Sequence, residues 1–355
     1  MDLKVSFHPY SLIFKKPSGT SRGILTTKET WIVKVWQESS PGLFGLGECA
    51  LFRGLSCDDR PDYEEILASL SPNLPPLDTL AEKIKDFPSI LFGVETALAD
   101  LKNGGKRVIY PSAFSEGKQS IRINGLIWMG TKSEMQSQIK VKIAHGFSCL
   151  KLKIGAIDFE AELDLLKAIR QEFDANTIEL RVDANGAFSP QDALSKLDQL
   201  AKLKLHSIEQ PIKAGQWEEM ARLCEQTPLP IALDEELIGI NDLTQKKSLL
   251  ETIRPQYIIL KPSLHGGFAG SEEWISLANE QKIDWWATSA LESNIGLNAI
   301  AQWCAIQKNE MPQGLGTGQL YTNNFESPLN LQGESLFYLV DKKWSFDFQD
   351  NSFLL

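Results

Sequence analysis

Five charged residues recur at near-constant intervals in the middle of the chain, and each ends a short apolar run. They are Lys153, Asp183, Glu209, Asp234 and Lys261. The steps are 30 residues (153 to 183), 26 (183 to 209), 25 (209 to 234) and 27 (234 to 261), a length that fits one strand, one helix and two loops. Charged side chains at the carboxyl ends of parallel strands are where barrel enzymes keep their chemistry. The spacing therefore predicts a parallel α/β barrel with an active site.

The chain of 355 residues is longer than such a barrel alone, which takes about 250 residues. We expect an α+β capping domain over residues 1–115, the barrel over 116–327, and a C-terminal segment, 328–355, that packs back on the capping domain. Two alternating runs near the N-terminus predict a small antiparallel sheet, and helices are expected at 61–70, 77–87 and 90–102. Residues 17–23 between the first two strands contain two glycines, which is typical of either a mobile lid or an ordinary hairpin connection.

The barrel segments follow one another from residue 120 onward. Strands are predicted at 120–128, 149–155, 178–184, 207–212, 231–235, 257–262, 284–293 and 312–318. Helices are predicted at 132–144, 158–173, from Pro190 onward after a Ser189 cap, and at about 215–226, 241–251 and 294–307. The alternation of the two element types predicts a fold of the TIM-barrel type.

Two lysines share one face of the second predicted barrel strand. Because side chains alternate along a strand, Lys151 and Lys153 point into the barrel while the leucines between and beside them face the helices. A buried ammonium is costly without a nearby anion. The pair predicts either a bound anionic group or ion pairs with carboxylates at the barrel mouth.

Three carboxylates end the three strands that follow, namely Asp183, Glu209 and Asp234. Three carboxylates close together cannot all stay ionised without a cation. Oxygen ligands favour a hard ion, so we expect Mg²⁺, with Mn²⁺ as the alternative. The four histidines, at positions 8, 145, 206 and 265, are scattered, which disfavours zinc. Glu236 is two residues beyond Asp234, so it would share the same face of a strand. Whether it is also a ligand is left undecided by the sequence.

Lys153 and Lys261 lie on the second and sixth predicted strands, across an eight-stranded barrel from each other. This arrangement places an ammonium on each face of anything held by the carboxylates. Burial and neighbouring positive charge lower the pKa of a lysine, so one of the two can act as a base. The predicted chemistry is removal of a proton alpha to a substrate carboxylate.

The composition of the chain argues against some classes of binding partner and indicates the cellular compartment. The formal net charge of −10 and the lack of a basic cluster argue against nucleic acid or an anionic membrane. The five cysteines form no close pair or metal-type spacing, which suits a reducing compartment. With neither a long apolar run nor a signal-peptide pattern at the start, we expect a cytoplasmic protein acting on a small-molecule carboxylate. The sequence gives no indication of its oligomeric state.

The order Lys-x-Lys, Asp-Ala-Asn, Glu-Gln-Pro, Asp-Glu and Lys-Pro resembles the enolase superfamily, in its muconate-lactonizing-enzyme subgroup. That resemblance implies a modified (β/α)7β barrel with an α+β capping domain. It also implies Mg²⁺ on Asp183, Glu209 and Asp234, with Lys151, Lys153 and Lys261 as the catalytic lysines. A barrel kept only for binding would be expected to have lost at least one of these residues.

Within the subgroup, stretches such as 288–297 and 312–324 are most similar to the dehydratases that form 2-succinylbenzoate in menaquinone biosynthesis. The resemblance implies that Lys153 removes the alpha proton and that Lys261 stabilises the charge from the opposite face. It further implies that Ser289 meets the succinyl carboxylate and that residues 17–25 close over the site. Asn185 either orients a carboxylate or forms an ordinary turn after its strand.

The alternative within the same superfamily is a dipeptide epimerase or an N-succinylamino acid racemase, in which both lysines exchange protons. Dipeptide epimerases of the subgroup commonly carry an Asp-x-Asp near the eighth strand to hold the substrate ammonium. This chain has Gly316, Thr317 and Gly318 there, which disfavours a dipeptide but not an N-succinylamino acid.

Overall fold

The computed structural model describes residues 2–20 and 23–346. Its N-terminal part is a three-stranded antiparallel sheet of β1 (Leu3–Thr20), β2 (Gly23–Gln37) and β3 (Ser40–Cys49). Three helices follow: α1 (Tyr63–Leu70), α2 (Leu77–Lys83) and α3 (Pro88–Lys102). Alternate residues of β2 enter a core shared with these helices. Strand β3 and α3 pack so closely that a Cβ atom at Gly47 would lie 1.9 Å from the carbonyl oxygen of Gly93.

The rest of the chain forms a seven-stranded parallel sheet in the order β11-β10-β9-β8-β7-β6-β5. The strands are β5 (Gly125–Ile127), β6 (Cys149–Lys153), β7 (Glu179–Asp183), β8 (Ser207–Glu209), β9 (Ile231–Leu233), β10 (Tyr257–Leu260) and β11 (Asp284–Ala287). The helices are α4 (Lys132–Ala144), α5 (Phe159–Glu172), α6 (Pro190–Ala201), α7 (Trp217–Gln226), α8 (Leu243–Ile253), α9 (Gly267–Glu280) and α10 (Asn294–Gln307). The predicted class, an α/β barrel with an α+β cap, is confirmed.

The strand Cys149–Lys153 shows how the sequence pattern produces the layers. Leu150 and Leu152 are fully buried in the core between the sheet and its helices, where helix α5 contributes Leu163, Leu166 and Ile169. Lys151 and Lys153 point the other way, into the barrel. Helix α6 begins as predicted, because the Ser189 side chain accepts a hydrogen bond from the backbone N–H of Asp192.

The sheet is closed by a segment that is too short to count as a strand. Gly314 N–H donates to the carbonyl of Ala287 at 2.7 Å, beyond one edge of the sheet. Asn124 N–H donates to the carbonyl of Gln313 at 3.0 Å, beside the other edge. The predicted eighth strand at 312–318 is therefore reduced to two bridged residues.

Two further barrel predictions need correction. The predicted first strand at 120–128 is broken into β4 (Ile121–Arg122), which is not in the barrel, and β5. Helix α9 was not predicted between the sixth and seventh strands. Its N-cap is Gly266, whose φ is 85°, and no side chain of its own segment caps it.

Of the two alternatives for residues 17–23, the described residues support the hairpin connection, because most of the segment belongs to the paired strands themselves. Strands β1 and β2 continue to Thr20 and from Gly23, and residues 21 and 22 lie outside the described part of the chain. The far end of this hairpin reaches the barrel: Leu25 packs in one cluster with Trp128 and Leu320. It thus lies over the carboxyl ends of the barrel strands.

The C-terminal segment forms a hairpin of β12 (Leu329–Gln332) and β13 (Ser335–Tyr338), and β13 pairs with β4. The hairpin is therefore attached beside the barrel and not to the N-terminal sheet. Trp344 and Phe346 do pack against Ile32 and Phe44 of that sheet. Residues 347–355 of the predicted segment lie outside the described residues, and the domain boundaries stay a prediction.

Two glutamates of the N-terminal part accept hydrogen bonds from backbone N–H groups at the N-termini of two barrel helices. Glu95 of α3 accepts from the backbone N–H of Phe268 at 2.6 Å, at the start of α9. Glu48 of β3 accepts from the N–H groups of Ser293 and Gly296, both at 2.9 Å, at the start of α10. The first N–H groups of a helix have no partner within it, so these carboxylates join the two parts of the molecule. None of the helices formed by the described residues has the length and hydrophobicity of a membrane span.

Glu95 makes stability depend on pH. Burial raises the pKa of its carboxyl to about 7, whereas the pKa of a glutamate in an unfolded chain is about 4.3. The folded protein therefore binds the proton more tightly, and its stability falls as pH rises between these values. We expect Glu95→Gln to remove this part of the pH dependence, measured as the free energy of unfolding in urea at pH 5 and pH 8.

Glu65→Gln, at an exposed position of α1, serves as the control and should leave the wild-type pH dependence intact. Parallel pH profiles for the wild type and Glu95→Gln would contradict the assignment.

Candidate active site

The charged residues singled out from the sequence meet at the carboxyl ends of the barrel strands. In the strand register, Lys153 of β6 is opposite Asp183 of β7, which is opposite Glu209 of β8. Asp234 and Lys261 come directly after β9 and β10. The register alone places these side chains in one layer at the mouth of the barrel.

The lysines and carboxylates of this layer are paired. The Nζ atom of Lys151 lies 3.0 Å from Oδ2 of Asp183 and also contacts Glu209. The Nζ atom of Lys153 lies 3.0 Å from the same Asp183 oxygen. Lys261 donates to Oδ1 of Asp234 at 2.6 Å. All three carboxylates are at most 2% exposed, so the site is a buried set of ion pairs.

Burial and charge act on these groups in opposite directions. Burial alone would raise the pKa of Asp183, but Lys151 and Lys153 hold it well below its usual range. The pKa of Glu209 is raised, first by burial and then by the charge of Asp183. Burial would lower the pKa of Lys261, yet Asp234 raises it above its ordinary value. The carboxylates that Lys151 and Lys261 contact therefore favour the ammonium forms of these two lysines.

Asn185 satisfies both of the alternatives that its sequence allowed. Its backbone N–H donates to Oδ1 of Asp183 at 3.0 Å, which closes a turn after β7, and its φ is 43°. Its side chain accepts from Nζ of Lys153 at 2.9 Å and donates to Glu235 at 3.0 Å. Asn185 therefore fixes the position of the Lys153 ammonium group.

The chain after β9 corrects the parity argument for Glu235 and Glu236. Strand β9 ends at Leu233, and residues Glu235–Leu237 form a 3-10 turn, so the alternation of faces does not continue. Glu235 lines the cavity. Glu236 instead accepts from Gln210 at 3.0 Å and from the backbone N–H of Gly215 at 2.7 Å, away from the ion pairs.

Gln210 holds this turn in place. Its side-chain oxygen accepts from the backbone N–H of Asp234 at 3.2 Å and of Glu236 at 3.3 Å. Its amide group donates to the carbonyl of Ile212 at 3.0 Å. Gln210 is fully buried and has a φ of 40°. Sequence reasoning missed it, although the position directly after Glu209 was a signal that it lies at the mouth.

The ion pairs form the floor of a cavity of about 510 Å³. Its upper wall is apolar and includes Phe52, Leu55, Trp128, Leu291 and Leu320. Ser289 also lines it and shares a 2.6 Å hydrogen bond with Thr317. Thr317 and Trp128 were not predicted, because only the fold brings their segments to the cavity. The space can take a carboxylate-bearing substrate that has an apolar body.

A divalent cation fits the donor set of the floor. Asp183, Glu209 and Asp234 supply only oxygen donors from neighbouring strand ends, as a hard cation requires. In the described part of the chain, no three Asp, Glu, His or Cys side chains are grouped as a formed metal site. Lys151 and Lys261 take up the three carboxylates instead. A cation would therefore exchange with ammonium groups for the same oxygens.

Comparisons of sequence and of structure relate the chain to the same group of proteins. The family model described as "Enolase C-terminal domain-like" matches residues 134–336. The o-succinylbenzoate synthase of Desulfotalea psychrophila is 47% identical over 93% of this chain and 98% of its own length. The L-Ala-D/L-Glu epimerase of Bacillus subtilis is 22% identical over 83% of this chain and 82% of its own. The crystal structure of MenC from D. psychrophila superposes with a TM-score of 0.84 and 44% identity, covering 95% of this chain and 100% of that one.

Gln210 provides a test of how the site is built. Gln210→Ala removes an acceptor for two buried N–H groups, and each group left unsatisfied costs about 1 to 3 kcal/mol. We expect the free energy of unfolding in urea to fall by about 2 to 4 kcal/mol.

Gln210→Gly is the matched control, because glycine tolerates the positive φ at no cost. It loses the same hydrogen bonds but relieves the strain of that φ, so it should be destabilised less than Gln210→Ala. A Gln210→Ala variant as stable as the wild type would contradict the role given to these hydrogen bonds.

Proposed function

Because the chain belongs to the family of enolase C-terminal domain-like proteins, we propose that it is an o-succinylbenzoate synthase. It dehydrates 2-succinyl-6-hydroxy-2,4-cyclohexadiene-1-carboxylate to 2-succinylbenzoate. The observation that carries the choice of reaction is the 47% identity to an o-succinylbenzoate synthase along almost the whole chain. The site geometry supports it, since lysines from β6 and β10 flank the carboxylates of the strands between them.

Asp183, Glu209 and Asp234 would hold the Mg²⁺ ion of this reaction, with Mn²⁺ as a substitute. The bound ion would supply positive charge to the substrate carboxylate as the neighbouring carbon loses its proton. Lys151 contacts both Asp183 and Glu209. It favours the ionised form of Asp183 and adds its own charge near the substrate carboxylate.

Lys153 is the base. Its Nζ takes the proton from the carbon that carries the carboxylate, and then gives that proton to the hydroxide leaving the neighbouring ring carbon. The products are the aromatic ring and one molecule of water. Lys153 must leave Asp183 and lose its proton before it can act, because an ammonium group has no free electron pair. Asn185, which also accepts from Lys153 Nζ, keeps the amine directed towards the cavity.

Lys261 acts from the other side of the substrate. It stays protonated, since the charge of Asp234 raises its pKa against the lowering effect of burial. An ammonium over the face of the ring stabilises negative charge as the proton leaves, through charge and cation–π attraction. Ser289 and its partner Thr317 offer hydroxyl groups to the succinyl carboxylate.

The cavity disfavours a dipeptide as substrate. The eighth-strand segment contributes Gly314, Gly316 and Thr317 to the described lining, and none of these can neutralise a substrate ammonium. An uncompensated buried charge is strongly unfavourable. An N-succinylamino acid lacks that ammonium and remains the second substrate class that the site could take.

The direct test is to mix the pure protein with the cyclohexadiene substrate and follow the loss of diene absorbance. We expect rapid aromatisation with Mg²⁺ and none after EDTA. Without the ion, the negative charge that develops on the substrate carboxylate as the proton leaves would not be compensated. Mg²⁺ should also raise the thermal midpoint of the wild type, because it binds only the folded state. Asp183→Asn should lose this shift, whereas Asp198→Asn at an exposed site on α6 should keep it. A diene signal that decays no faster than in buffer would refute the assignment.

The two lysines should differ in their effects on rate. Lys153→Ala removes the base and should lower kcat by about 10³-fold or more. Lys261→Ala removes only charge stabilisation and should leave a measurable trace, about 10²- to 10³-fold below the wild type. Lys140→Ala, at an exposed position of α4, is the control for general effects. Wild-type rates for either active-site variant would disprove the mechanism.

A further inference from the structure

A second group of buried charges lies behind the cavity wall, where the N-terminal sheet meets the barrel. It contains Lys28 of β2, Glu48 of β3 and Glu292 of the loop after β11. All three side chains are at most 6% exposed. None of them belongs to the set of residues assigned to the reaction above, so their burial needs a separate explanation.

Glu292 connects two loops that border the cavity. It is fully buried, and its Oε1 accepts a 2.5 Å hydrogen bond from the hydroxyl of Ser263. Ser263 is also fully buried and comes two residues after Lys261 in the loop that follows β10. On its own loop, Glu292 directly follows Leu291, which lines the cavity. A single carboxylate thus links the loop that carries Lys261 to the loop that carries Ser289.

Two charged atoms of this group are buried without a hydrogen-bond partner in the described part of the chain. Among the described residues, neither Oε2 of Glu292 nor Nζ of Lys28 has a hydrogen-bond partner. Glu48 cannot serve Lys28, since its two oxygens already accept from Thr30 and Gly296 and twice from Ser293, which fills the four acceptor positions of a carboxylate.

The charges of Lys28 and Glu292 depend on each other. Burial lowers the pKa of Lys28 while Glu48 and Glu292 oppose the change. Burial raises the pKa of Glu292 while Lys28 opposes it. Removing Lys28 would leave Glu292 with no nearby cation among its described neighbours in this cluster.

We propose that Glu292 is a positioning residue for Lys261: it fixes the Lys261 loop through Ser263, and Lys28 is the cation that balances it. Lys28 belongs to the β1–β2 hairpin over the barrel mouth, so this charge balance also involves the hairpin. This role rests on the proposed function, in which Lys261 acts on the substrate.

A double-mutant cycle with Lys261 tests the role. Glu292→Gln keeps the shape but not the charge, and Ser263→Ala removes only the hydroxyl that links Glu292 to the loop. We expect each to lower kcat about tenfold to a hundredfold, since small misplacements of a catalytic group have effects of this size. KM should change less than about threefold, because the lost interaction is made in the transition state.

In the Lys261→Ala background, the same two changes should lower kcat by less than about twofold, since there is no ammonium left to position. Equal losses in both backgrounds would mean that Glu292 is merely structural and would overturn the proposal. Glu48→Gln is the matched control: it weakens the same interface at α10 without touching the Lys261 loop, so the thermal midpoint should fall while kcat stays within about twofold.

A second measurement does not depend on the reaction. Amine labelling with trinitrobenzenesulfonate, followed by peptide mass spectrometry, reports the reactivity of individual lysines. In Glu292→Gln and Ser263→Ala, the labelling rate of Lys261 should rise at least threefold over the wild type, while that of Lys153 stays constant. An unchanged Lys261 rate in both variants would also overturn the proposal. If the wild type fails to dehydrate the diene but Lys261 becomes reactive in the variants, the proposed function fails and the positioning role stands.

Discussion

The balance of buried charge at the barrel mouth governs this structure. Three lysines and three carboxylates lie in one layer from which water is largely excluded. No member could remain ionised there alone, because an unpaired charge in the interior is strongly unfavourable. In the structure the three lysines contact the three carboxylates, and Lys153 donates to Asp183 and Asn185. A cation bound by Asp183, Glu209 and Asp234 would take over oxygens that the lysines now contact.

The N-terminal part of the molecule takes part in this arrangement through the loops that it fixes. Glu95 and Glu48 occupy the N-termini of α9 and α10, the helices that follow the Lys261 and Ser289 loops. A carboxylate at a helix N-terminus satisfies free N–H groups and interacts favourably with the helix dipole. The N-terminal part is thus bound at the edge of the cavity where these two loops lie. Its β1–β2 hairpin also covers the mouth of the barrel, and Leu25 packs in one cluster with Trp128.

Much of the barrel and most of its charged floor could be predicted from the sequence, because they follow from local periodicity. The alternation in Cys149–Lys153 was enough to place Lys151 and Lys153 inside the barrel. Features that depend on the fold could not be predicted. Helix α9 has no local cap, because its capping carboxylate, Glu95, comes from another part of the chain. The parity rule failed at Glu236 because the strand ends at Leu233 and Gln210 bends the chain into a turn.

The layer of lysines and carboxylates does not by itself determine which substrate binds, because one fold can serve several reactions. The residues of the cavity wall above this layer must therefore determine it. At the eighth-strand segment the described wall offers glycines and the hydroxyl pair of Ser289 and Thr317. Hydroxyl groups can donate to a carboxylate, but they cannot neutralise an ammonium that has lost its water. The apolar part of the wall, with Phe52 and Trp128, favours an apolar body. A substrate with carboxylates at both ends and an uncharged ring between them suits all three regions, whereas a zwitterionic dipeptide finds no carboxylate for its ammonium at the eighth-strand segment.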